Sequence, residues 1–201
     1  MRRTFACTFV MFALAACGGS SKPAVSSGGG PSAKIGVTSI RSVDFQNRTY
    51  DNTDAGAITV VNGEAEIEID PEMPDMHGWF NVGAPVYGDI DGDGAEEAIV
   101  ITSFNGGGTG TFTSGEVYKL REGQGVVKIG EIPGGDRGDG GLDDIRIEGG
   151  KILVDRNLST EDDGACCPSK LTKEVWTWNG SAFVEDEAAR QTVDNPNYQR
   201  D

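Results

Sequence analysis

The sequence predicts an all-β fold: a single antiparallel sandwich or barrel-like domain built from hairpins. Ile and Val together number 29, against six Leu, and β-branched side chains suit a pleated sheet better than a helix. Gly accounts for 30 of the 201 residues, twice the usual ~7%, which is typical of a chain with many tight turns. Short apolar runs are separated by Gly, Asn and Asp, as in sandwiches and barrels.

Turn signals separate short runs of residues that favour strands. Asn62-Gly63 stands between the runs 57–61 and 64–69, and Asn-Gly accommodates the two positive φ angles of a type I′ turn. We therefore predict a hairpin there. Apolar residues alternate with Glu in the second run, so one face of that strand should be exposed to water. Three more hairpins are predicted around Gly149-Gly150, Asn179-Gly180 and the turn 122–125.

Two segments depart from the hairpin pattern. Residues 98–101 (AIVI) are apolar at successive positions, which indicates a central strand covered on both faces. Residues 185–191 have a short and polar helical pattern. We expect the folded domain to cover residues 35–190 and to be followed by a C-terminal tail at 191–201.

The first residues have the pattern of a secretory signal peptide. Arg2 and Arg3 precede thirteen nearly all apolar residues, 4–16. A helix of that length would reach only about 20 Å, less than the ~30 Å of a bilayer's hydrocarbon core. We therefore predict a signal peptide at 1–16 rather than a membrane span. Residues 18–33 contain twelve Gly, Ser or Pro, a composition that predicts a flexible tether.

The signal peptide ends in the sequence LAAC at residues 14–17, which resembles the lipobox of bacterial lipoproteins. The resemblance implies cleavage before Cys17 and attachment of lipid to that residue. Several acyl chains anchor a protein without a transmembrane helix. We therefore expect residues 17–34 to form a lipidated tether, with the membrane as a partner and the cell envelope as the location. Gly18 after the cysteine resembles the pattern of lipoproteins sent to the outer membrane, where the domain would face the periplasm or the cell surface.

The net charge and the His content disfavour several function classes. The formal net charge of -15 opposes binding to phosphate backbones, so we expect no nucleic acid partner. A single His, His77, disfavours most metal-hydrolase and catalytic-triad chemistries. We predict that the protein is not an enzyme but a binding or structural module, with an envelope glycan or protein as its partner.

Residues 88–99 (GDIDGDGAEEAI) contain the strongest functional motif. Acidic residues occupy loop positions 1, 3, 5 and 9, and Gly occupies position 6. Calcium takes roughly six to eight hard oxygen ligands, and alternate acidic side chains on a curled loop can face one ion. Without a cation their like charges would repel each other. We therefore predict a Ca²⁺ site. Its ligands would be the side chains of Asp89, Asp91, Asp93 and Glu97 and the carbonyl group of Ala95.

This loop resembles the calcium loops of FG-GAP and VCBS repeats, in which the loop joins two strands. Position 12, a bidentate Glu in EF-hands, is here Val100, and a strand pattern follows instead of a helix. Those repeats occur several times to form a propeller, whereas this sequence has one full copy. We therefore carry over the ion site and not the propeller.

Residues 138–145 resemble residues 92–99 but lack two of the ligands. This second stretch is either a degenerate duplicate of the loop or a chance turn rich in Asp and Gly.

Two adjacent cysteines, Cys166 and Cys167, are the thiols that stay after removal of Cys7 and lipidation of Cys17. In an oxidising compartment they have no other intramolecular partner. Two states of this pair stay possible: a vicinal disulfide with a structural role, or two free or intermolecularly paired thiols.

With the lipobox, the tether, the calcium motif and Cys166-Cys167-Pro168, the chain looks like a group of uncharacterised bacterial lipoproteins. That resemblance implies no activity.

The alternative function is a carbohydrate- or peptidoglycan-binding module. Trp79, Trp176 and Trp178 would offer stacking faces to a sugar, although core packing explains most Trp side chains. A hydrolase with paired acids is less favoured, because nothing in the sequence sets the separation that glycoside hydrolysis requires. Its candidate residues are Asp143, Asp144 and the acids at 161–163.

Overall fold

The computed structural model describes residues 38–53, 56–69, 72, 75–164 and 166–198. The predicted signal peptide, Cys17 and the tether lie outside the described residues. Within the described ranges, no helix has the length and hydrophobicity required to span a lipid bilayer. The strands are β1 (Thr49–Thr53), β2 (Gly56–Thr59), β3 (Glu64–Glu68), β4 (His77–Val82), β5 (Val86–Gly88), β6 (Glu97–Asn105), β7 (Phe112–Arg121), β8 (Gly125–Ile132), β9 (Leu142–Glu148), β10 (Lys151–Leu158), β11 (Lys170–Trp178), β12 (Phe183–Glu185) and β13 (Gln191–Asp194). Short 3-10 helices occupy Ile40–Ser42 and Glu187–Ala189.

These strands form three antiparallel sheets, and the domain is the all-β sandwich of hairpins that the sequence predicts. The central sheet has the order β3-β4-β6-β7-β8, with β5 also beside β6. The second large sheet has the order β12-β11-β10-β9, with β13 also beside β11. Strands β1 and β2 pair with each other in a small third sheet. No sheet of the described residues closes into a barrel.

The central sheet is buried on both faces. Ala98 and Val100 of β6 belong to an apolar cluster that includes Phe45 and Tyr50 from the N-terminal part of the domain. Ile99 belongs to a second cluster, to which β9 and β10 of the other large sheet contribute. Because successive side chains of a strand point to opposite faces, β6 is covered on both sides. The prediction for residues 98–101 is confirmed.

Three of the four predicted hairpins are confirmed. Strands β7 and β8 pair across the turn at 122–125, β9 and β10 across Gly149-Gly150, and β11 and β12 across Asn179-Gly180. In the last turn, Asn179 Oδ1 accepts hydrogen bonds from the N–H groups of Ser181 and Ala182 at 3.0 and 2.9 Å. These three hairpins are local, which is why turn residues alone predict them.

The hairpin predicted at Asn62-Gly63 is confirmed only at its turn, where Val61 and Glu64 exchange backbone hydrogen bonds at 2.9 and 3.2 Å. Asn62 and Gly63 have φ values of 54° and 81°, as a type I′ turn requires. However, β2 pairs with β1, and β3 pairs with β4. Distant backbone groups bind the turn itself: the Gly63 N–H donates to Gln46 O at 2.7 Å, and Val82 N–H donates to Gly63 O at 2.7 Å. The alternation in β3 is as predicted, with its Glu side chains exposed and its apolar residues half-buried.

The C-terminal segment is more ordered than the sequence suggests. The predicted helix at 185–191 is replaced by the end of β12, a 3-10 turn and the start of β13. Gln191–Asp194, which we placed in the tail, forms β13 and pairs with β11. Strand β12 pairs only with residues 176–178 of β11. The backbone groups at the N-terminal end of β11 therefore need another hydrogen-bond partner. Residues 170–173 take β13 as their partner, because buried or half-buried backbone groups need hydrogen bonds.

The packing of β6 gives a first prediction. Ile99 is 1% exposed in the cluster between the large sheets, so Ile99→Ala should lower the free energy of unfolding by about 2–5 kcal/mol. Val61 is 64% exposed, so the matched change Val61→Ala should stay within about 0.5 kcal/mol of wild type. Urea denaturation of the full chain measures both. Equal destabilisation by the two changes would contradict the buried position of Ile99.

Candidate metal centre

The predicted calcium loop is the connection between β5 and β6. Its ends are held by the sheet, because Gly88 of β5 pairs with Glu97 of β6. Asp89 curls the loop, since its Oδ1 accepts a hydrogen bond from Gly92 N–H at 2.7 Å and its Oδ2 accepts one from Gly94 N–H at 3.0 Å. Gly92 and Gly94 have φ values of 77° and 89°, a conformation that residues with a Cβ rarely adopt. The glycines are therefore required by the path of the loop.

The next two acids continue the curl. Asp91 Oδ1 accepts a hydrogen bond from Asp93 N–H at 3.3 Å, and Asp93 Oδ1 accepts one from Ala95 N–H at 2.9 Å. Each carboxylate therefore keeps its Oδ2 for another partner. Ala95 joins the loop through this N–H group, and the role of its carbonyl group as a metal ligand stays a prediction.

Three of the four acidic side chains predicted to bind calcium lie close together. Asp89, Asp91 and Glu97 each offer one carboxylate oxygen, and these three oxygens lie within 4.8 Å of one another. Calcium ligands lie roughly 2.3–2.6 Å from the ion, so two oxygens on opposite sides of it are about 5 Å apart. The observed spacing is therefore compatible with one shared cation. No second group of this kind occurs among the described residues.

Glu97 is the fully buried member of the cluster. Its side chain is 0% exposed, and its Oε2 accepts a hydrogen bond from Ile90 N–H at 2.9 Å. Its Oε1 is buried without a hydrogen bond. Burial raises the pKa of the Glu97 carboxyl, while the hydrogen bond from Ile90 and the neighbouring Lys119 lower it. A buried carboxylate oxygen without a hydrogen bond is costly, so this position favours a cation beside it.

A residue that the sequence analysis missed, Lys119 of β7, provides a positive charge in the cluster. Its Nζ lies 2.5 Å from Asp91 Oδ2 and 2.7 Å from Asp93 Oδ2. It is also 3.1 Å from Glu97 Oε1, which is close enough for an ion pair but without hydrogen-bond geometry. Lys119 thus joins Asp93 to the other acids. Its neighbour Tyr118 pairs with Ala98, so the register of β6 and β7 brings Lys119 beside Glu97.

The cluster keeps an excess of negative charge. The four predicted ligand carboxylates and the ammonium group of Lys119 give a net charge of -3 when all are ionised. The fifth acid of the loop, Glu96, pairs with Arg41. The hydrogen bond from Lys119, together with the Ala95 N–H, lowers the pKa of Asp93. For Lys119 burial lowers the pKa, but the adjacent carboxylates of Asp91, Asp93 and Glu97 outweigh it and raise the pKa above its ordinary value. Asp93 and Lys119 therefore stay charged at neutral pH. The excess of acidic groups would attract a further cation.

The second Asp- and Gly-rich stretch, 138–145, has a different organisation. It follows Asp136, whose Oδ1 accepts a hydrogen bond from Gly138 N–H at 2.9 Å and whose Oδ2 accepts one from Thr111 N–H at 2.9 Å. Asp139 Oδ1 accepts a hydrogen bond from Ser159 N–H at 3.3 Å. These acids hold backbone segments together, so residues 138–141 belong to a structural connection between β8 and β9, and residues 142–145 begin β9.

Cys166 and Cys167 are joined by a disulfide in the loop between β10 and β11. Both residues are exposed. Asp163 anchors this loop, because its Oδ2 accepts hydrogen bonds from the N–H groups of Thr160 and Ser169 at 2.7 and 2.9 Å and from the Ser169 hydroxyl at 2.9 Å. The backbone and side-chain hydrogen bonds to Asp163 lower its pKa to about 2.

The tryptophans considered for sugar binding are engaged in packing to different degrees. Trp176 and Trp178 are partly buried and pack against the cluster between the large sheets. The ring centroids of Trp178 and Phe183 are 4.8 Å apart, and Trp176 Nε1 donates a hydrogen bond to Glu174 at 2.9 Å. Trp79 is half-buried in β4. The first two rings therefore contribute mainly to the core.

Two of the acids considered for hydrolysis, Asp144 and Asp163, have other partners. Asp144 accepts a hydrogen bond from Arg146. Burial, followed by the nearby Asp155 and Asp144, raises the pKa of Asp143. Asp163 holds the disulfide loop, as described above. His77 Nδ1 lies 3.1 Å from Glu66 Oε1 on the neighbouring strand, and both side chains are exposed.

Comparisons with known proteins gave no match: no protein-family model, no curated protein and no solved structure is significantly similar to the chain.

The pKa of Asp163 predicts a pH dependence of stability. Its folded pKa of about 2 lies below the ordinary 3.8, so the unfolded state binds more protons in this range. The stabilisation is therefore present above the unfolded pKa and lost as pH falls through the folded pKa. Asp163→Asn should lower the Tm at neutral pH and reduce the fall in Tm between about pH 4 and pH 2. The neighbouring change Asp162→Asn is the control, and an identical effect of both changes would contradict the role of Asp163.

The two cysteines give a third prediction. Mass spectrometry of the unreduced full chain, after alkylation under denaturing conditions, should find Cys166 and Cys167 unmodified and their peptide two hydrogens lighter than after reduction. Because the pair is exposed, mild reductants should make both thiols available. Alkylation of both cysteines without prior reduction would exclude the disulfide.

Proposed function

We propose that this chain is a lipid-anchored protein of the cell envelope whose β-sandwich binds Ca²⁺ in the loop between β5 and β6. One observation carries the calcium site: Asp89, Asp91 and Glu97 converge, and one oxygen of the buried Glu97 lacks a hydrogen bond. The domain acts as a binding or structural module, and its expected partner is an envelope glycan or protein.

The anchor in this proposal rests on the sequence. Cys17 follows a signal peptide and precedes the tether at 18–33. Lipid chains on Cys17 would hold the N-terminus at the membrane, and the tether would keep the sandwich away from the lipid surface. The domain would then be displayed in the envelope without a membrane-spanning segment of its own.

Calcium fits the available donors better than magnesium does. All the candidate donors are oxygens, which suits both ions. Magnesium demands a near-ideal octahedron and usually keeps several waters, whereas calcium accepts more ligands in a flexible arrangement. A curled loop with several carboxylates supplies the flexible arrangement of many oxygens that calcium accepts. The residues that would hold the ion are Asp89, Asp91, Asp93, Glu97 and, through its carbonyl group, Ala95.

Bound calcium would have a structural effect. The ion would tie the loop residues Asp89 and Asp91 to Glu97, the first residue of the most buried strand. The β5–β6 end of the central sheet would thereby be fastened. Because the folded domain alone presents this arrangement of ligands, binding would stabilise it by mass action. Such a role suits a module that must stay folded outside the cytoplasm.

Ion pairs between neighbouring strands stabilise the second large sheet of the proposed module. Asp155 accepts hydrogen bonds from Arg146 at 3.1 Å and from Lys173 at 2.8 Å. Glu174 accepts bonds from Arg156 at 2.7 and 2.9 Å. These charged groups neutralise each other across neighbouring strands, which stabilises the sheet.

A calcium titration tests this proposal. At a calcium concentration of 100 times the Kd, binding should stabilise the wild-type full chain by about 2.7 kcal/mol. We expect a Kd of order 10⁻⁴ to 10⁻³ M, as in extracellular calcium modules. Asp91→Asn keeps the shape of the side chain but removes one ligand charge, and it should weaken binding by roughly tenfold or more. Isothermal calorimetry and the calcium-dependent shift in Tm are the measurements.

The control is Asp186→Asn, which makes the same chemical change at an exposed residue near β12 without a capping hydrogen bond. This variant should bind calcium as wild type does. Absence of both heat and thermal stabilisation in the wild-type protein would refute the calcium site. Identical titrations of wild type and Asp91→Asn would refute the proposed ligand set.

A further inference from the structure

We infer that Lys119 is an internal competitor for the calcium site: its ammonium group fills the site in the metal-free protein and leaves when Ca²⁺ binds. This inference rests on the proposed calcium function. It makes the affinity of the site depend on a cation of the chain itself as well as on the acidic ligands.

The position of Lys119 supports competition. Its Nζ lies between Asp91, Asp93 and Glu97, at 2.5, 2.7 and 3.1 Å from their nearest carboxylate oxygens. These are three of the four acidic side chains that would bind the ion. Two of these contacts, to Asp91 and Asp93, are hydrogen bonds, and the third, to Glu97, is an ion pair, so the charge of Lys119 is directed to the site.

Calcium and the ammonium group require the same carboxylates. Asp91 and Glu97 belong both to the converging group and to the contacts of Lys119. An ion at the usual ~2.3–2.6 Å from those oxygens would lie a few Å from Nζ. The two positive charges would repel each other strongly in this partly buried position. The ammonium group must therefore move away for the ion to bind.

Lys119 satisfies the site only in part. Glu97 Oε1 has no hydrogen bond although Nζ is close to it, and Asp89 has no contact with Lys119 among the ion pairs of the described residues. A calcium ion imposes no donor direction and coordinates more oxygens than an ammonium group can reach. The doubly charged ion also compensates more of the excess negative charge. These differences favour exchange of the lysine for calcium.

The exposure of the residues indicates a route for this exchange. Side-chain exposure rises from 14% for Lys119 and 17% for Asp91 to 51% for Asp93. The site is therefore open to solvent on the Asp93 side. The ammonium group is carried by a flexible four-carbon chain, so it can leave toward water while the backbone of β7 stays paired.

Substitution of Lys119 in the full chain tests the inference. Lys119→Met removes the charge at similar length, and we expect it to lower the Kd for Ca²⁺ by about tenfold or more, because the competing cation is lost. Without calcium this variant should have a lower Tm than wild type, since the acids lose their counter-ion. With saturating calcium the difference in Tm should largely disappear. Lys119→Gln serves as a second neutral variant, and Lys119→Arg should keep the weaker binding.

The matched control is Lys128→Met. Lys128 of β8 also pairs with a buried acid, since its Nζ lies 3.3 Å from Glu116 Oε1. This change should lower the Tm, but it should leave the Kd for Ca²⁺ unchanged. The control thus separates loss of a buried ion pair from loss of competition.

The outcomes distinguish the inference from the calcium proposal. Wild-type binding with an equal or weaker affinity in both neutral variants would overturn the competition but leave the calcium site. Binding by the neutral variants alone would support the competition and overturn calcium uptake by the native domain. Absence of binding in all variants would overturn both, and Lys119 would then be the permanent counter-ion of the loop.

Discussion

A buried carboxylate at the start of the central strand is the constraint from which the site follows. Strand β6 is covered on both faces, and its first residue, Glu97, is shielded from water. One of its oxygens receives the N–H of Ile90, whereas the other has no hydrogen bond. A negative charge in that position needs a positive one nearby. The burial of β6 therefore makes a cation beside Glu97 favourable. The loop acids favour Ca²⁺ in this position, and Lys119 offers its ammonium group instead.

The central sheet also positions the loop. Strands β4 and β5 pair with different parts of β6, and between them Gly83 N–H donates to Ile101 O at 2.8 Å. The two strands follow each other along one side of β6, and β5 leads directly to Asp89. On the other side of β6, β7 carries Lys119 to the same end of the sheet. Acids from a local loop and a cation from a neighbouring strand are thus brought together by sheet pairing.

Local signals predicted the features that depend on neighbouring residues. The Gly and Asn turns, the doubly buried run at 98–101 and the curl of the acidic loop all arise within a few residues, and the structure contains each of them. The features that sequence reasoning missed depend on strand register. The sequence around Lys119 predicts only a strand. The register of β7 against β6 is what brings this residue beside Glu97. The partners of β2 and β13 likewise depend on backbone groups far away in the sequence.

Strands β12 and β13 share the outer side of β11, and this arrangement affects contacts between neighbouring copies of the domain. This flank of the second sheet consists of two short strands, β12 and β13, with a 3-10 turn between them. An ion pair between Lys170 and Asp194, 2.5 Å apart, lies on the same flank. Short strands and charged groups deprive an incoming chain of a long row of open amide and carbonyl groups. For a domain that a lipid anchor would crowd onto a two-dimensional surface, this flank disfavours polymerisation through strand addition.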